Sequence, residues 1–350
     1  MRYCQLGASG MQVSRVAFGV MTFGNWSYDT FQARVDRRAA DHMIGVALDA
    51  GVNLFDTAEA YGDGQGEQML GAAIKRAGRK RAIIATKALT YQAGPGEAGL
   101  QRNSYRHVVD HVEASLRRLD TDWIDLYQIQ SADFGSTVEE ETLRALHDLV
   151  SRGLIRHVGW ANHPGWYAAR SEAVQRLNGY TPFVSGQIYY SLVGRDAEHD
   201  ILPYCRATGL GTLIWSPLAG GFLTGKYARG KPTGTADHPA VAPTGSEAAY
   251  HAIEVTRGIA EQHGISVTQV AIAWLLAKPG VSSILVGASR PEQLAENIHG
   301  TDVTLTDTEI AALDAIAPPA PIYPEPEWWT ARPAEGAPFV GPPTFWGRPG

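Results

Sequence analysis

Cysteine is scarce in this chain of 350 residues: Cys4 and Cys205 are the only two. A single pair cannot staple a fold of this size, so stability has to come from a buried core, and a reducing cytoplasm is the expected compartment. No uninterrupted apolar run approaches the roughly 18 residues that a membrane-spanning helix needs. The first residues, Met1-Arg2-Tyr3-Cys4-Gln5-Leu6-Gly7, lack the apolar stretch of a secretory leader. Positive charge is not in excess. The 30 Lys and Arg against 36 Asp and Glu leave a formal net charge of −6, which disfavours a nucleic-acid binder relying on broad charge attraction. CxxC, HExxH and GxSxG are all absent, so metal-assisted hydrolysis and serine acyl transfer have no visible basis. Apolar side chain is what the chain does have. At 44% hydrophobic residues it can bury a core over most of its length, which excludes general disorder.

Short β-branched or aromatic runs recur at residues 13–18, 52–55, 82–85, 124–129, 156–160, 184–188, 212–215 and 283–286. Segments of helical period lie between them. In 105–119 the apolar positions Val108, Val112, Leu116 and Leu119 step by three or four, and in 140–150 they are Leu143, Leu146, Leu149 and Val150. The second of these helices begins with Thr137 followed three residues later by Glu140, a capping-box pattern, and runs out at Ser151-Arg152-Gly153. Eight strand–helix alternations in about 300 residues predict an α/β fold of the (β/α)8 TIM-barrel type. A doubly wound open sheet would need a break in the alternation, and none occurs before residue 220. Residues 2–13 stand outside the pattern. Leu6-Gly7-Ala8-Ser9-Gly10-Met11 reads as a hairpin turn, so this segment is expected to plug the bottom of the barrel.

Two further regions depart from the alternation. Residues 229–246 are rich in Gly, Pro, Thr and Ala and read as a long loop after the seventh strand. Residues 318–350 form a Pro- and Gly-dense tail beyond a barrel at 1–317, yet they carry Tyr323, Trp328, Trp329, Phe339, Phe345 and Trp346. Rings that each offer about 150–250 Å² for burial are not a linker composition, so the tail is expected to pack on the barrel mouth, on a ligand or on a second subunit.

Three motif-like stretches are read as incidental. Gly62-Asp63-Gly64-Gln65-Gly66 echoes a dinucleotide-binding glycine loop but lacks the third glycine in register. Residues 220–226 have the spacing of a phosphate-binding loop, but Tyr227 follows Lys226 where a magnesium-binding hydroxyl belongs. His107 and His111 are one helical turn apart with no third ligand in sight, so they read as surface or half-buried helix residues and no metal is expected.

In a barrel, residues just past each strand's C-terminus share one face, and chemistry gathers there. Those positions are Phe55-Asp56-Thr57-Ala58-Glu59-Ala60-Tyr61-Gly62, Ala85-Thr86-Lys87, Tyr127-Gln128-Ile129-Gln130-Ser131, Gly159-Trp160-Ala161-Asn162, Gln187-Ile188-Tyr189-Tyr190, Trp215-Ser216-Pro217-Leu218-Ala219-Gly220-Gly221 and the run from Val286 to Asn297. In this order, and over about residues 2 to 317, the chain resembles the aldo-keto reductase superfamily. It resembles in particular the branch that holds the voltage-gated potassium channel β subunits and bacterial aldo-keto reductases.

The resemblance implies hydride transfer from NADPH to a ketone or aldehyde. Tyr61 would be the general acid, Lys87 the ammonium that lowers its pKa from about 10, and Asp56 the partner holding that amine. Gln130 stands where most members have His. It can donate a hydrogen bond to a carbonyl oxygen but cannot titrate. The channel β subunits also carry an amide here, and the steroid double-bond reductases carry Glu. Two alternatives therefore stay open: an enoyl reductase, for example of a keto-sugar, and an NADPH-holding regulatory subunit with little turnover. On the cofactor side the resemblance implies Asn162 and Gln187 at the nicotinamide amide, with Ala161 replacing the usual hydroxyl residue, and Tyr189 or Tyr190 stacked on the ring. Residues 215–221, with Trp215, Ser216, Pro217, Leu218 and Gly220 among them, would run along the pyrophosphate, and Gly287 would be a further cofactor-side residue. Ser289, Arg290, Gln293, Glu296 and Asn297 would hold the adenosine end, with Lys226, Ser289 and Arg290 favouring a 2′-phosphate. Met21, Phe23, Trp26, Tyr91, Trp160 and the tail are the candidate substrate wall. Such a wall suits a bulky, flat, polyketide-type carbonyl compound more than a small sugar.

Overall fold

An antiparallel hairpin opens the chain: β1 (Tyr3–Gln5) pairs with β2 (Gln12–Ser14), Cys4 lying opposite Val13. The computed structural model describes residues 1–28, 31–88, 103–131, 139–227, 243 and 246–319. The aromatic tail from 320 onward, most of the loop at 229–246, Tyr91 and Thr137 of the expected capping pattern lie outside the described residues. The hairpin turn places Gly7 at φ +55°, and a Cβ there would fall on the Val184 carbonyl and 2.6 Å from the Gly211 amide. Only glycine lets the turn close against the strand starts at that point. Leu6 and Val13 are fully buried in one cluster with Ala17, Leu54, Leu126 and Leu213, so the hairpin seals the barrel bottom as expected.

After the hairpin come β3 (Val16–Gly19), the small pair β4 (Trp26–Tyr28) and β5 (Phe31–Ala33), α1 (Arg37–Asp49), β6 (Leu54–Asp56), α2 (Gln65–Ala77) and β7 (Ile83–Ala88). They are followed by α3 (Tyr105–Leu119), β8 (Ile124–Ile129), α4 (Glu139–Ser151), β9 (Ile155–Ala161), α5 (Gly165–Asn178) and β10 (Phe183–Tyr189). The described chain ends with α6 (Ile201–Thr208), β11 (Gly211–Trp215), α7 (Glu247–His263), α8 (Val267–Ala277), β12 (Ser283–Val286), α9 (Pro291–His299) and α10 (Asp307–Asp314). Strands β3 and β6 to β12 form a closed barrel, completed where β12 lies parallel to β3 with Leu285 beside Ala17. This is the (β/α)8 architecture predicted from the alternation. One boundary differs. The apolar run 13–18 serves two sheets, bending at Arg15, so that Val13 belongs to the hairpin and Val16–Gly19 to the barrel.

Helices pack outside the strands for the reason their period gives. In α3, Val108, Val112, Leu116 and Leu119 are buried, each contributing about 1.5–3 kcal/mol. Ser104 caps its start by accepting from the His107 amide. The helix α4 stops before Gly153, which takes φ +74°. The apolar interior falls into two layers: a small cluster inside the barrel floor and a large one between strands and helices. Among the described residues no helix is long and apolar enough to cross a membrane.

Candidate active site

The C-terminal ends of β6, β7, β8 and β10 bring four buried polar side chains to one place. Lys87 and Asp56 are 2% and 3% exposed, and Lys87 Nζ donates to Asp56 Oδ2 at 2.6 Å and to the Thr57 carbonyl at 3.0 Å. The other Asp56 oxygen accepts from Gln187 Nε2 at 2.8 Å and from Gln128 Nε2 at 3.3 Å. Both carboxylate oxygens are thus held, and the ammonium is fixed by them.

Tyr61 reaches this pair from the turn after β6. Its amide donates to the Ala58 carbonyl and its carbonyl accepts from Gly66 at the start of α2. Lys87 Nζ lies 5.1 Å from the ring centroid, close enough for the ammonium to pull the phenol's pKa down. On the mouth side the Trp26 indole stacks on the phenol ring, centroids 6.0 Å apart and planes 11° from parallel. The expected triad of Asp56, Lys87 and Tyr61 is therefore assembled in space.

The electrostatics differ from the expectation in one respect. Burial pushes the Tyr61 phenol above its ordinary value. The Lys87 ammonium pulls it down, but the Asp56 carboxylate adds to the rise and the net direction is upward. An ammonium already neutralised by a carboxylate 2.6 Å away cannot acidify this half-buried tyrosine as a free one would. For Lys87, burial acts downward, but Asp56 and Tyr61 outweigh it and hold the ammonium above its usual value.

Gln130 lies immediately past β8. Its Oε1 is buried without a hydrogen-bond partner among the described residues, while its backbone carbonyl accepts from Asn162 Nδ2 at 3.3 Å. A buried amide oxygen left unsatisfied costs about 1–3 kcal/mol and marks a place where a ligand group would be welcome. Gln128 was not anticipated as a site residue. The signal for it was present: a glutamine inside an apolar barrel strand, on the same face as Leu126, must find a polar partner.

The cofactor-side candidates form a rim from β9 to α9. Asn162 adopts φ +56°, and its Oδ1 accepts from the Trp215 indole at 2.9 Å. Tyr189 tilts against Trp215 at 5.1 Å, half-buried at the mouth. Tyr190 does not belong here. It is fully buried against Trp274, and its hydroxyl donates to Glu198 Oε1 at 2.5 Å, because the next residue along a strand end faces the opposite layer. After β11, Ser216, Ala219, Gly220 and Gly221 all have positive φ around Pro217 and Leu218, and Gly220 donates its amide to Ser216 Oγ. Two non-glycine residues in the left-handed region within one short loop are strained backbone of the kind that gathers at ligand sites. Past β12, a Cβ on Gly287 would meet open space. Ser289 and Arg290 are exposed at the start of α9, where the Ser289 amide and hydroxyl both donate to Gln293 Oε1. Glu296 is half-buried, Asn297 donates to the Gly287 carbonyl at 3.2 Å, and Lys226 is exposed. An exposed cationic end and a small-residue loop of strained backbone fit a dinucleotide phosphate in character.

Two members of the expected substrate wall are core residues instead. Phe23 is fully buried edge-on against Phe18 at 5.6 Å. Trp160 is fully buried across Gly186, where any Cβ would fall on the indole, and stacks on His163. Met21 and Trp26 remain half-buried. His107 is buried rather than at the surface, and His111 Nδ1 is 2.5 Å from Glu59 Oε2. No group of three or more metal-ligating side chains occurs among the described residues.

The aldo/keto reductase family profile matches residues 15–318, and the chain belongs to that family. A probable voltage-gated potassium channel subunit beta from Oryza sativa subsp. japonica is 32% identical over 338 residues, covering 92% of this chain and 98% of its own. The uncharacterized oxidoreductase YrpG of Bacillus subtilis (strain 168) is 32% identical over 340 residues, covering 94% and 100%. Versiconal hemiacetal acetate reductase of Aspergillus parasiticus is 31% identical over 348 residues, covering 93% and 99%. Membership supports an oxidoreductase of a family that in general uses NAD(P)H, acting on a small molecule.

Proposed function

We propose that this protein is an NADPH-dependent reductase of ketone or aldehyde carbonyls, with Tyr61 as the proton donor. The observation that carries the reading is the buried Asp56–Lys87 pair, whose ammonium lies 5.1 Å from the Tyr61 ring. When bound, NADPH supplies the hydride that reduces the carbonyl carbon. Asn162 and Tyr189 would hold its nicotinamide, with Gln187 beside them. Residues 215–221 and Gly287 would hold the pyrophosphate, and Ser289, Arg290, Gln293, Glu296, Asn297 and Lys226 the adenosine end.

The protein's own part is the proton. Tyr61 Oη gives it to the carbonyl oxygen as charge develops there, and Lys87 stabilises the phenolate left behind. Asp56 keeps the ammonium in place, and Gln128 and Gln187 keep Asp56 from rotating. Gln130 offers its amide N–H to the same carbonyl oxygen as a positioning donor. With a net-raised phenol the acid form persists through neutral pH. The rate therefore stays present below the raised value and is lost only as pH climbs past about 10. No limb near pH 6.5 is expected from residue 130. An ionisation there that disappears in Gln130→Leu would contradict this role.

Arg290, exposed at the start of α9, would read the 2′-phosphate. Arg290→Ala should weaken NADPH binding about 10-fold or more, the weight of one charge-assisted contact, and NADH binding by less than about 2-fold. Equal losses measured by fluorescence titration would remove the assignment. A bulky, flat, polyketide-type carbonyl substrate is favoured by Trp26 over the phenol and by the Aspergillus relative, which is named for versiconal hemiacetal acetate.

One observation favours a second reading, an NADPH-holding subunit of low turnover: the non-titrating Gln130 in a chain similar to a protein named as a channel β subunit. The intact triad favours the enzyme, because a binder has no use for a phenol beside a buried ammonium. Single turnover of bound NADPH against a panel of carbonyl compounds, with product analysis to detect C=C reduction, separates the readings.

A further inference from the structure

The run Gly62-Asp63-Gly64-Gln65-Gly66 has a different use from the phosphate contact its spacing imitates. Each glycine yields its side-chain space to a different neighbour. A Cβ on Gly62 would lie 2.6 Å from Trp26 Cδ1, one on Gly64 would fall on Arg118 Cδ, and one on Gly66 would lie 3.1 Å from Tyr61 Cβ. Gly62, Asp63 and Gly64 all have positive φ, so the turn carrying the phenol is coiled tightly enough to admit the Arg118 side chain beneath Gly64.

Arg118 comes from α3, which contributes nothing to the triad. Its Nε donates to Glu67 Oε2 at 2.5 Å, its Nη2 donates to Ser115 Oγ at 3.2 Å, and the same Nη2 lies 3.5 Å from Glu59 Oε1. Glu67 is fully buried, and its other oxygen accepts from Thr86 Oγ1 at 2.7 Å, one residue before Lys87. Glu59 stands two residues before Tyr61. Its amide donates to the Lys87 carbonyl at 3.0 Å and its other carboxylate oxygen lies against His111. One guanidinium thus joins the turn bearing the proton donor, the start of α2 and, through Glu67, the strand bearing the ammonium. A planar fork with donors on separate nitrogens holds two carboxylates in a fixed geometry, which the single ammonium of a lysine does less rigidly.

We propose that Arg118, bridging Glu59 and Glu67, is a positioning residue for the proton donor: it fixes the turn at 57–66 on β7 so that Tyr61 stays beside Lys87. The inference rests on the reading of Tyr61 as proton donor. Arg118 acts through placement, since the groups that act on the phenol are Lys87 and Asp56, together with burial. Loss of the bridge lets the turn shift, and a displacement of about 1 Å at a donor costs up to about 100-fold in rate.

The test uses the full chain labelled with [13Cζ]tyrosine, the Tyr61 signal being assigned by its absence in Tyr61→Phe. In Arg118→Met, kcat should fall about 10- to 100-fold, with KM and the NADPH dissociation constant within about 2-fold. The Tyr61 resonance should move and its alkaline midpoint shift. Arg118→Lys should fall between, and Lys75→Ala, which removes a surface ion pair with Asp120, should match the parent protein. An Arg118→Met protein with a lower Tm but unchanged kcat and an unmoved Tyr61 signal overturns the proposal, because a merely structural role predicts that pattern. Should Arg118→Met fail to fold because Glu67 is left buried and unpaired, Arg118→Met/Glu67→Gln and Glu59→Gln carry the same two readouts. If the parent protein reduces no carbonyl compound, the functional reading fails. The clamp is then judged on the Tyr61 resonance alone, a moved signal supporting it and an unmoved one refuting it.

Discussion

Tyr61→Phe should lower kcat for carbonyl reduction by about 100- to 10,000-fold, the usual weight of a positioned general acid, while leaving NADPH affinity within about 2-fold. The substitution removes one oxygen and little else. The ring keeps its stack on Trp26 at 6.0 Å, and Lys87 keeps Asp56 and the Thr57 carbonyl as acceptors, so neither the mouth nor the ion pair has reason to collapse. Steady-state kinetics on a reactive aldehyde, beside a cofactor titration, measures both quantities. Turnover close to that of the parent protein would remove Tyr61 as proton donor, and with it the reading of the whole site.

The second large effect concerns stability. Asp56→Ala strips the 2%-exposed ammonium of its counter-charge and should cost about 3–5 kcal/mol in chemical denaturation at pH 7, unless Lys87 sheds its proton to escape the penalty. Asp56→Asn/Lys87→Met removes both charges together and should be less destabilised than Asp56→Ala, though inactive. If the double variant proves the weaker of the two, the pair is not the uncompensated liability described. The pH sign follows from the direction of the lysine shift. A group held above its ordinary value contributes fully below about pH 10, and the contribution fades as pH rises through the folded value. Neutral and mildly acidic solutions should therefore leave the Lys87 contribution intact.

The positions of Asp56, Tyr61 and Lys87 could be read from the chain because each lies at or just beyond the end of a strand that the apolar pattern locates, and a barrel collects such ends on one face; their roles came from the family resemblance. Gln128 could not be singled out in the same way. Its identity as a buried amide was visible, but that it meets Asp56 depends on β6 and β8 flanking β7 in the closed barrel. Tyr189 and Tyr190 show the limit from the other side. Either ring reads as a stacking candidate, and only the strand's orientation, shifted by a register irregularity between Phe183 and Ser185, sends one to the mouth and the other into the helix layer. Trp160 and Phe23 were misplaced for the same reason, large rings at strand ends being equally at home in a wall or a core. The direction of the Tyr61 shift is not legible in the sequence, because it is a balance between burial, an ammonium and a carboxylate that turns on distances.

The local pattern of this chain determined the number and order of its barrel strands, the plug at its floor and the residue types at the mouth, because periodicity and turn chemistry act over a few neighbouring residues. Which side chains meet was decided by closure of the barrel, which brings β6, β7, β8 and β10 together from distant parts of the chain. The glycines of 62–66 state the difference most plainly. Their sequence echoes a dinucleotide-binding glycine loop, and their meaning came only from the Trp26 indole, the Arg118 side chain and the Tyr61 Cβ that border the space they leave.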